Sequence, residues 1–434
     1  MMEITPEALY KIYLRNPTIS TDTRKIEAGS LFFALKGEKF DGNAFAKNAL
    51  ENGASYAVVD DPAVVEDKRF LLVEDVLTAL QNLARHHRST WEIPVIALTG
   101  SNGKTTTKEL IAAVLAKKYR TYATRGNLNN HIGVPLTILA VNPQQYDMVV
   151  VEMGANHQGE IATLCTIAQP THGLITNIGK AHLEGFGGLA GIKKGKGELY
   201  AYLSKKKRVV FVNTQNEVLM EMVSKKHSFG EIVFYGSENS AVNPTLLEDV
   251  PFVTYENQEK QAITTHLPGR HNFENICAAL AIGHYFGVPG DDAHRAISEY
   301  QPDNNRSQVF YKGSNTITLD AYNANPSSME AAIDHLTKSV ATRKMVILGD
   351  MLELGHDAEA EHRALGEMLA QCNFDLVILT GPLMQHALPA LPKAYYIPDK
   401  FSLHNWLMDH PQDDTHILIK GSRGMGLESV VQFL

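Results

Sequence analysis

The chain is poor in the residues and patterns that mark several protein classes. Only three of its 434 residues are cysteines. Cys165, Cys277 and Cys372 lie far apart and form no C-x-x-C pair, so neither a disulfide framework nor a zinc site is expected. No apolar run approaches the ~18–20 residues that cross a bilayer. The opening MMEITPEALYKIYLRN lacks an apolar core followed by small residues, so no secretion signal is expected. Positive charge is not in excess: 40 Lys and Arg stand against 48 Asp and Glu, a formal charge of −8, which leaves no footprint for nucleic acid. Repeats and low-complexity segments are missing too. What is present is a globular balance of 44% hydrophobic and 20% charged residues, in a chain long enough for about three domains. A multidomain enzyme of the reducing cytoplasm, without membrane insertion, is the expectation.

Two breaks divide the chain. One falls around Arg88–Pro94 (RSTWEIP), where a helix-like stretch ends before a strongly apolar run. The other is the polar cluster Gln301–Asn305 (QPDNN). The expected domains are therefore 1–90, 91–303 and 304–434. In the middle segment VIAL (95–98), MVVV (148–151), GLIT (173–176) and VVFV (209–212) read as strands buried on both faces, separated by helical stretches. After VIAL, Leu110, Ile111, Val114 and Leu115 form an apolar stripe at helical spacing. The last segment repeats the rhythm with MVIL (345–348), LVILT (376–380) and HILIK (416–420). The fold class is α/β: two doubly wound, mainly parallel sheets, preceded by a smaller mixed α/β unit around LFFAL (31–35) and YAVV (56–59). The basic run Lys205–Arg208 reads as a solvated helix end rather than an anchor.

Between VIAL and the next helix stands Thr99-Gly100-Ser101-Asn102-Gly103-Lys104-Thr105-Thr106. Glycines let backbone N–H groups turn towards phosphate oxygens, and the helix N-terminus adds positive potential. Lys104 is placed to bridge β- and γ-phosphates and the Thr105 hydroxyl to hold Mg²⁺. The first glycine of the usual G-x-x-x-x-G-K-[ST] spacing is absent, with Leu98 in its place, and a chance glycine-rich turn is the competing reading. MVVV runs into Glu152, a carboxylate at the sheet edge where such folds bind ligands. His182 follows the next strand in the same way. Each is commonplace alone; together they suggest one site.

These segments occur in a fixed order with others: E-M-G-A-N-H-Q-G-E-I (152–161), N-I-G-K-A-H-L-E-G-F (177–186), G-R-H-N-F-E-N (269–275), D-A-Y-N-A-N-P (320–326), L-G-D-M-L-E-L-G (348–355) and K-G-S-R-G-M (420–425). The set resembles the Mur ligase family of peptidoglycan synthesis. S-T-D-T-R (20–24) and the stretch 31–42 extend the likeness to the amino terminus. The resemblance implies a three-domain architecture with a phosphate-loop central domain and a Rossmann-like C-terminal domain. It implies ATP-dependent amide formation through an acyl phosphate. E-M-G-A-N and D-x-Y-N-A-N-P point to the member that joins D-Ala-D-Ala to UDP-N-acetylmuramoyl-tripeptide.

Residue by residue, the resemblance implies ATP contacts at Gly100, Asn102, Gly103, Lys104, Thr105, Thr106, Asn275, Arg306, Asp320 and Tyr322. Asn275 would bond adenine, Arg306 phosphate and Asp320 ribose, while Tyr322 would stack on the base. Two Mg²⁺ sites are implied, one at Thr105 and Glu152 and a second helped by His182. Lys196, in G-K-G-E, matches the lysine that carries a CO2-derived carbamate; an ammonium contacting phosphate is the alternative. Lys104, His182 and Lys196 form the implied catalytic set. Substrate candidates are Thr23, Arg24, Asp41 and Gly42 in the first domain, then Asn129, Asn130, Asn323 and Asn325. Lys420 and Arg423 read equally as turn residues or amine-side contacts. Ala321 departs from the serine common in the family. A monomer is the simpler expectation. Two rivals stay open: a folylpolyglutamate synthase-like ligase that shares the ATP site, and a phosphate-loop NTPase switch without ligase activity.

Overall fold

The computed structural model describes residues 3–224, 228–238, 240–303 and 305–434. Asn304, inside the expected Gln301–Asn305 break, lies outside them. The first unit is a four-stranded parallel sheet ordered Ile19–Ser20, Leu31–Phe33, Tyr56–Val59, Phe70–Leu72, with a small antiparallel hairpin at Lys36–Gly37 and Phe40–Asp41. Helix Val76–Ser89, capped by Asp75, closes this unit. Its last turn is no loose linker. Arg88 is buried and donates to the carbonyls of Ala168, Trp91 and Gln169, and Tyr13 Oη donates to Leu139 O at 2.7 Å. The expected break at Arg88–Pro94 is thus a packed joint.

The central sheet has six strands, all parallel, in the order Glu231–Tyr235, Val209–Asn213, His172–Ile175, Val95–Thr99, Met148–Glu152, Thr121–Ala123. Strands Val95–Thr99 and Met148–Glu152 are buried along their whole length, which is why both read as unbroken apolar runs. Helix Lys104–Ala116 covers one face, and the stripe Leu110, Ile111, Val114 and Leu115 is fully buried. Lys205–Arg208 is the exposed end of helix Leu189–Lys205. The sequence pattern did not announce an antiparallel sheet of Thr245–Glu248, Thr254–Glu256 and Ala262–Thr264, leading into helix Arg270–Tyr285.

The C-terminal sheet is ordered Gln308–Lys312, Asn315–Asp320, Thr415–Lys420, Arg343–Gly349, Leu376–Thr380, Tyr395–Ile397. Only its first strand is antiparallel. Helix Pro326–Lys338 starts with a capping box between Asn325 and Ser328 and a proline in its first turn, a strong local start signal.

Register brings the motifs together. Leu98 pairs with Glu152 and Thr99 with Ile175, so the loops after three strands leave the central sheet side by side. In the C-terminal sheet, Asp320 pairs with Lys420. Both parallel sheets therefore present their C-terminal edges to ligands, as open α/β sheets do.

Candidate active site

A cleft of ≈ 740 Å³ lies between the central and C-terminal units. Among its lining residues are Asn102, Gly103, Lys104, Thr106, Asn129, Asn130, Glu152, His182, Asn275, Arg306, Asp320, Tyr322, Asn323 and Asn325. The phosphate loop is shaped by close approach. Gly103 has φ +77°, and a Cβ there would stand 2.6 Å from Asn275 Oδ1; at Gly100 it would stand 1.9 Å from Thr176 Oγ1. Only glycine tolerates such positions. The neighbouring strand end holds the loop: Asn102 N donates to Asn177 Oδ1 at 3.0 Å, Thr176 Oγ1 donates to Asn102 O at 2.6 Å, and Ser101 Oγ donates to Gly179 O at 2.9 Å.

Lys104 Nζ folds back onto its own loop, donating to Gly100 O at 2.8 Å and Ser101 O at 3.2 Å. Burial lowers its pKa to about 8; Arg306 works the same way, against the pull of Glu152 and Glu353. Two oxygens beside it have no hydrogen-bond partner: Thr105 Oγ1 and Glu152 Oε2. The other carboxylate oxygen of Glu152 accepts from Asn129 Nδ2 at 2.8 Å. Among the described residues no group of three or more His, Cys, Asp or Glu is arranged to hold a metal. A hydroxyl and one carboxylate nevertheless suit Mg²⁺, which keeps several waters and is commonly completed by substrate phosphates.

His182 has φ +56° and meets a residue of the C-terminal unit with φ +67°, Glu353. Both sit in a region that residues with a Cβ rarely adopt. His182 Nδ1 stands 2.6 Å from Glu353 Oε2, off the axis of a well-formed hydrogen bond. That approach holds the Glu353 carboxyl below the usual carboxylate range.

Lys196 is fully buried and lies behind the cleft wall rather than on it. Its Nζ has no hydrogen-bond partner and sits 5.3 Å from the Phe186 ring centroid. Burial, with the Lys104 charge added, drives its amine well below the ordinary lysine value.

The C-terminal unit closes the cleft. Lys420 Nζ donates to Asp320 Oδ2 and, at 3.1 Å, to Asn323 O. Lys420 helps keep the Asp320 carboxyl charged against the cost of burial. Arg306 stands 3.8 Å from the Tyr322 ring centroid and Arg423 5.1 Å, so the ring face under Arg306 is covered by a guanidinium. Asn102 ties the two units directly, with Nδ2 donating to Ser327 Oγ and Oδ1 accepting from Asn325 Nδ2, both at 2.8 Å.

Other expected residues have structural partners. Asn275 Oδ1 accepts from Thr107 Oγ1 and its Nδ2 donates to Asn272 Oδ1, each at 3.0 Å. Asn130 Oδ1 accepts from Ile132 N and Gly133 N. Thr23, Arg24, Asp41 and Gly42 do not line the cleft. Arg24 is exposed and forked onto Asp22, Asp41 caps the turn Gly42–Phe45, and a Cβ at Gly42 would stand 2.4 Å from Leu35 O.

Three family profiles match the chain: "Mur ligase family, catalytic domain" over residues 18–88, "Mur ligase middle domain" over 98–283, and "Mur ligase, glutamate ligase domain" over 305–423. A Bacillus subtilis UDP-N-acetylmuramoyl-tripeptide–D-alanyl-D-alanine ligase is 36% identical, over 96% of this chain and 92% of its own. The chain belongs to the Mur ligase family. A crystal structure of MurF from Acinetobacter baumannii superposes with TM-score 0.85 at 34% identity, covering 96% of this chain and 92% of that one. MurF ligase from Thermotoga maritima in complex with ADP superposes with TM-score 0.82 at 28% identity, covering 97% of both.

For this Mur ligase, sequence reasoning missed three things. Glu353 lies within the quoted L-G-D-M-L-E-L-G, yet nothing local marks its meeting with His182. The Asn102 link spans 223 and 225 positions of chain. His335, another cleft residue, stands in an ordinary helical pattern.

Proposed function

We propose that the chain is an ATP-dependent ligase that joins D-alanyl-D-alanine to UDP-N-acetylmuramoyl-tripeptide, giving the pentapeptide precursor of peptidoglycan. The observation that carries this reading is the single cleft onto which a phosphate loop, Glu152 and His182 open from one sheet edge and Arg306 and Asp320 from another. Its context is a chain that aligns almost end to end with relatives named for that reaction. The three units divide the work: 1–90 binds the UDP-muramoyl moiety, 91–303 holds ATP, and 304–434 closes over ATP and receives the dipeptide.

A carboxylate is a poor acylating agent because its leaving group would be oxide. In the proposed reaction the tripeptide carboxylate attacks the γ-phosphorus of ATP, releasing ADP and leaving an acyl phosphate. The dipeptide amine then attacks the acyl carbon, loses a proton and expels phosphate. Gly100–Gly103 lay backbone N–H groups along the phosphates. Lys104 leaves its two loop carbonyls and turns its ammonium to the β- and γ-oxygens. Thr105 and Glu152 would hold one Mg²⁺ and His182 would help hold a second, and such ions would supply neutralisation of charge on the phosphoryl group. Arg306 contacts phosphate from the C-terminal side and Asp320 the ribose, with Lys420 orienting the Asp320 carboxylate. Asn129 fixes the Glu152 carboxylate and Asn130 shapes the adjoining loop, next to the reacting end of the peptide.

Lys196 is read as the carbamate lysine. Only a neutral amine attacks CO2, and burial of Lys196 Nζ without a hydrogen-bond partner favours that neutral form. Addition forms the N–C bond, releases one proton and leaves an anion with oxygen donors, which suit a hard cation.

The test is substrate dependence. ADP release should require both the UDP-linked tripeptide and D-Ala-D-Ala. Steady release with neither present would favour the NTPase-switch reading instead.

A further inference from the structure

The C-terminal unit brings three Lys or Arg side chains and two carboxylates to the cleft: Arg306, Lys420 and Arg423, with Asp320 and Glu353. Lys420 and Asp320 hold each other, and Arg306, assigned to phosphate, stands over the Tyr322 ring. Two opposite charges remain. Arg423 is exposed; its guanidinium donates to Tyr322 Oη at 3.3 Å and meets no carboxylate among the described residues. Five N–H groups in a fixed fork suit a carboxylate better than one phenol. Glu353 meets His182 through Oε2, yet its side chain is 51% exposed, and no bond among the described residues reaches Oε1.

These two residues sit on loops that are locked together. Ser422 N donates to Asp350 O at 3.1 Å and Leu352 N to Ser422 Oγ at 2.9 Å. Asp350 and Ser422 are buried, and the Asp350 carboxylate accepts from Met384 N at 3.0 Å, so the joint is fixed before any ligand arrives. Glu353 and Arg423 each follow that joint by one residue. Leu352, 39% exposed, links them with apolar surface: a Cβ at Gly424 would stand 3.1 Å from Leu352 Cδ1. A rigid joint thus carries an anion, a small apolar patch and a cation. Its natural ligand is a short zwitterion with small side chains. An extended dipeptide, whose charged ends lie about 7 Å apart, has that form.

We propose that the loops 350–355 and 420–425 seat the incoming dipeptide, with Arg423 taking its carboxylate, Glu353 its ammonium and Leu352 facing its methyl groups. The inference rests on the ligase reading and adds to it the residues that select the amine substrate. Polarity follows from position. Glu353 abuts His182, in the segment whose Gly179 carbonyl accepts from Ser101 of the phosphate loop. The amine end therefore lies nearest the group that it must attack. Arg423 selects a free carboxylate, because a dipeptide amide leaves its guanidinium without an anion.

The test compares D-Ala-D-Ala with its C-terminal amide in the wild-type enzyme, Arg423→Ala, Arg423→Lys and Glu353→Gln. In the wild type, kcat/KM should favour the acid by about 10-fold to 100-fold, the size of a charge-assisted pair. Arg423→Ala should bring the ratio close to one by raising KM for the acid, with KM for ATP unchanged. Arg423→Lys, which keeps the charge, should restore part of the preference. Glu353→Gln should raise KM for both dipeptides and leave their ratio intact, which separates the two ends. N-acetyl-D-Ala-D-Ala, which has no ammonium, is a dead-end probe whose inhibition should be lost in Arg423→Ala and kept in Glu353→Gln. Equal use of acid and amide by the wild type, or an arginine variant whose defect lies in KM for ATP, overturns the proposal and leaves the ligase reading standing. ADP release that ignores the dipeptide altogether overturns both.

Discussion

The ATP cleft and the surface of the first unit carry candidate residues in opposite ways. Around the phosphate loop nearly every expected side chain is buried, oriented by a named partner, or left with an unpaired atom in a place where that is costly. Glu152 is 1% exposed with one oxygen held by Asn129 and the other bare. In the first unit, the Arg24 side chain is 86% exposed and already paired with Asp22, and Asp41 serves a local cap. The contrast teaches where chemistry is preorganised. Phosphoryl transfer needs fixed dipoles and charges in place before reaction, whereas gripping one end of a long substrate can rest on exposed groups that reorient on binding.

The predictions sharpen or break that contrast. Lys196→Ala should have the largest effect, lowering kcat by about 10³-fold or more, with acetate restoring part of the rate. The fold should persist, because the change removes a buried amine that bonds to nothing; a variant with normal kcat would end the carbamate assignment. Thr105→Ala should reduce kcat/KM for Mg-ATP by about 10²-fold. Binding of the UDP-linked substrate, read by calorimetry, should stay unchanged. Next comes Asn102→Ala, which cuts both links to the C-terminal unit and should raise KM for ATP about tenfold. An unchanged KM would mean that the Asn325 and Ser327 contacts do not contribute to closure. Arg24→Ala should be the mildest, raising KM for the UDP-linked substrate only a few-fold and leaving ADP affinity untouched, as expected of an exposed ion pair. A hundredfold loss there would put the first unit on the same footing as the cleft.

The parts of the fold that were legible are those written in short-range pattern. VIAL, MVVV, VVFV and HILIK are strands because both of their faces are covered, and the glycines of the phosphate loop announce a turn only glycine can make. From those two facts and parallel register, the convergence of Lys104, Glu152 and His182 follows. What was not legible depends on distant chain. Asn275, expected to bond adenine, lines the cleft, but the partner that holds its amide oxygen, Thr107, lies 168 positions away. The sheet Thr245–Thr264 carries short, half-exposed strands whose pattern is too weak to stand out. Lys196 matches a motif, but nothing in G-K-G-E says that its amine lies behind the cleft wall.

At the centre of the account is transfer of the terminal phosphoryl group of ATP onto the tripeptide carboxylate. The direct measurement is positional isotope tracing with oxygen-18 in that carboxylate during one turnover with D-Ala-D-Ala. The account predicts one labelled oxygen in the released inorganic phosphate for each amide formed. Amide formation with unlabelled phosphate would contradict it.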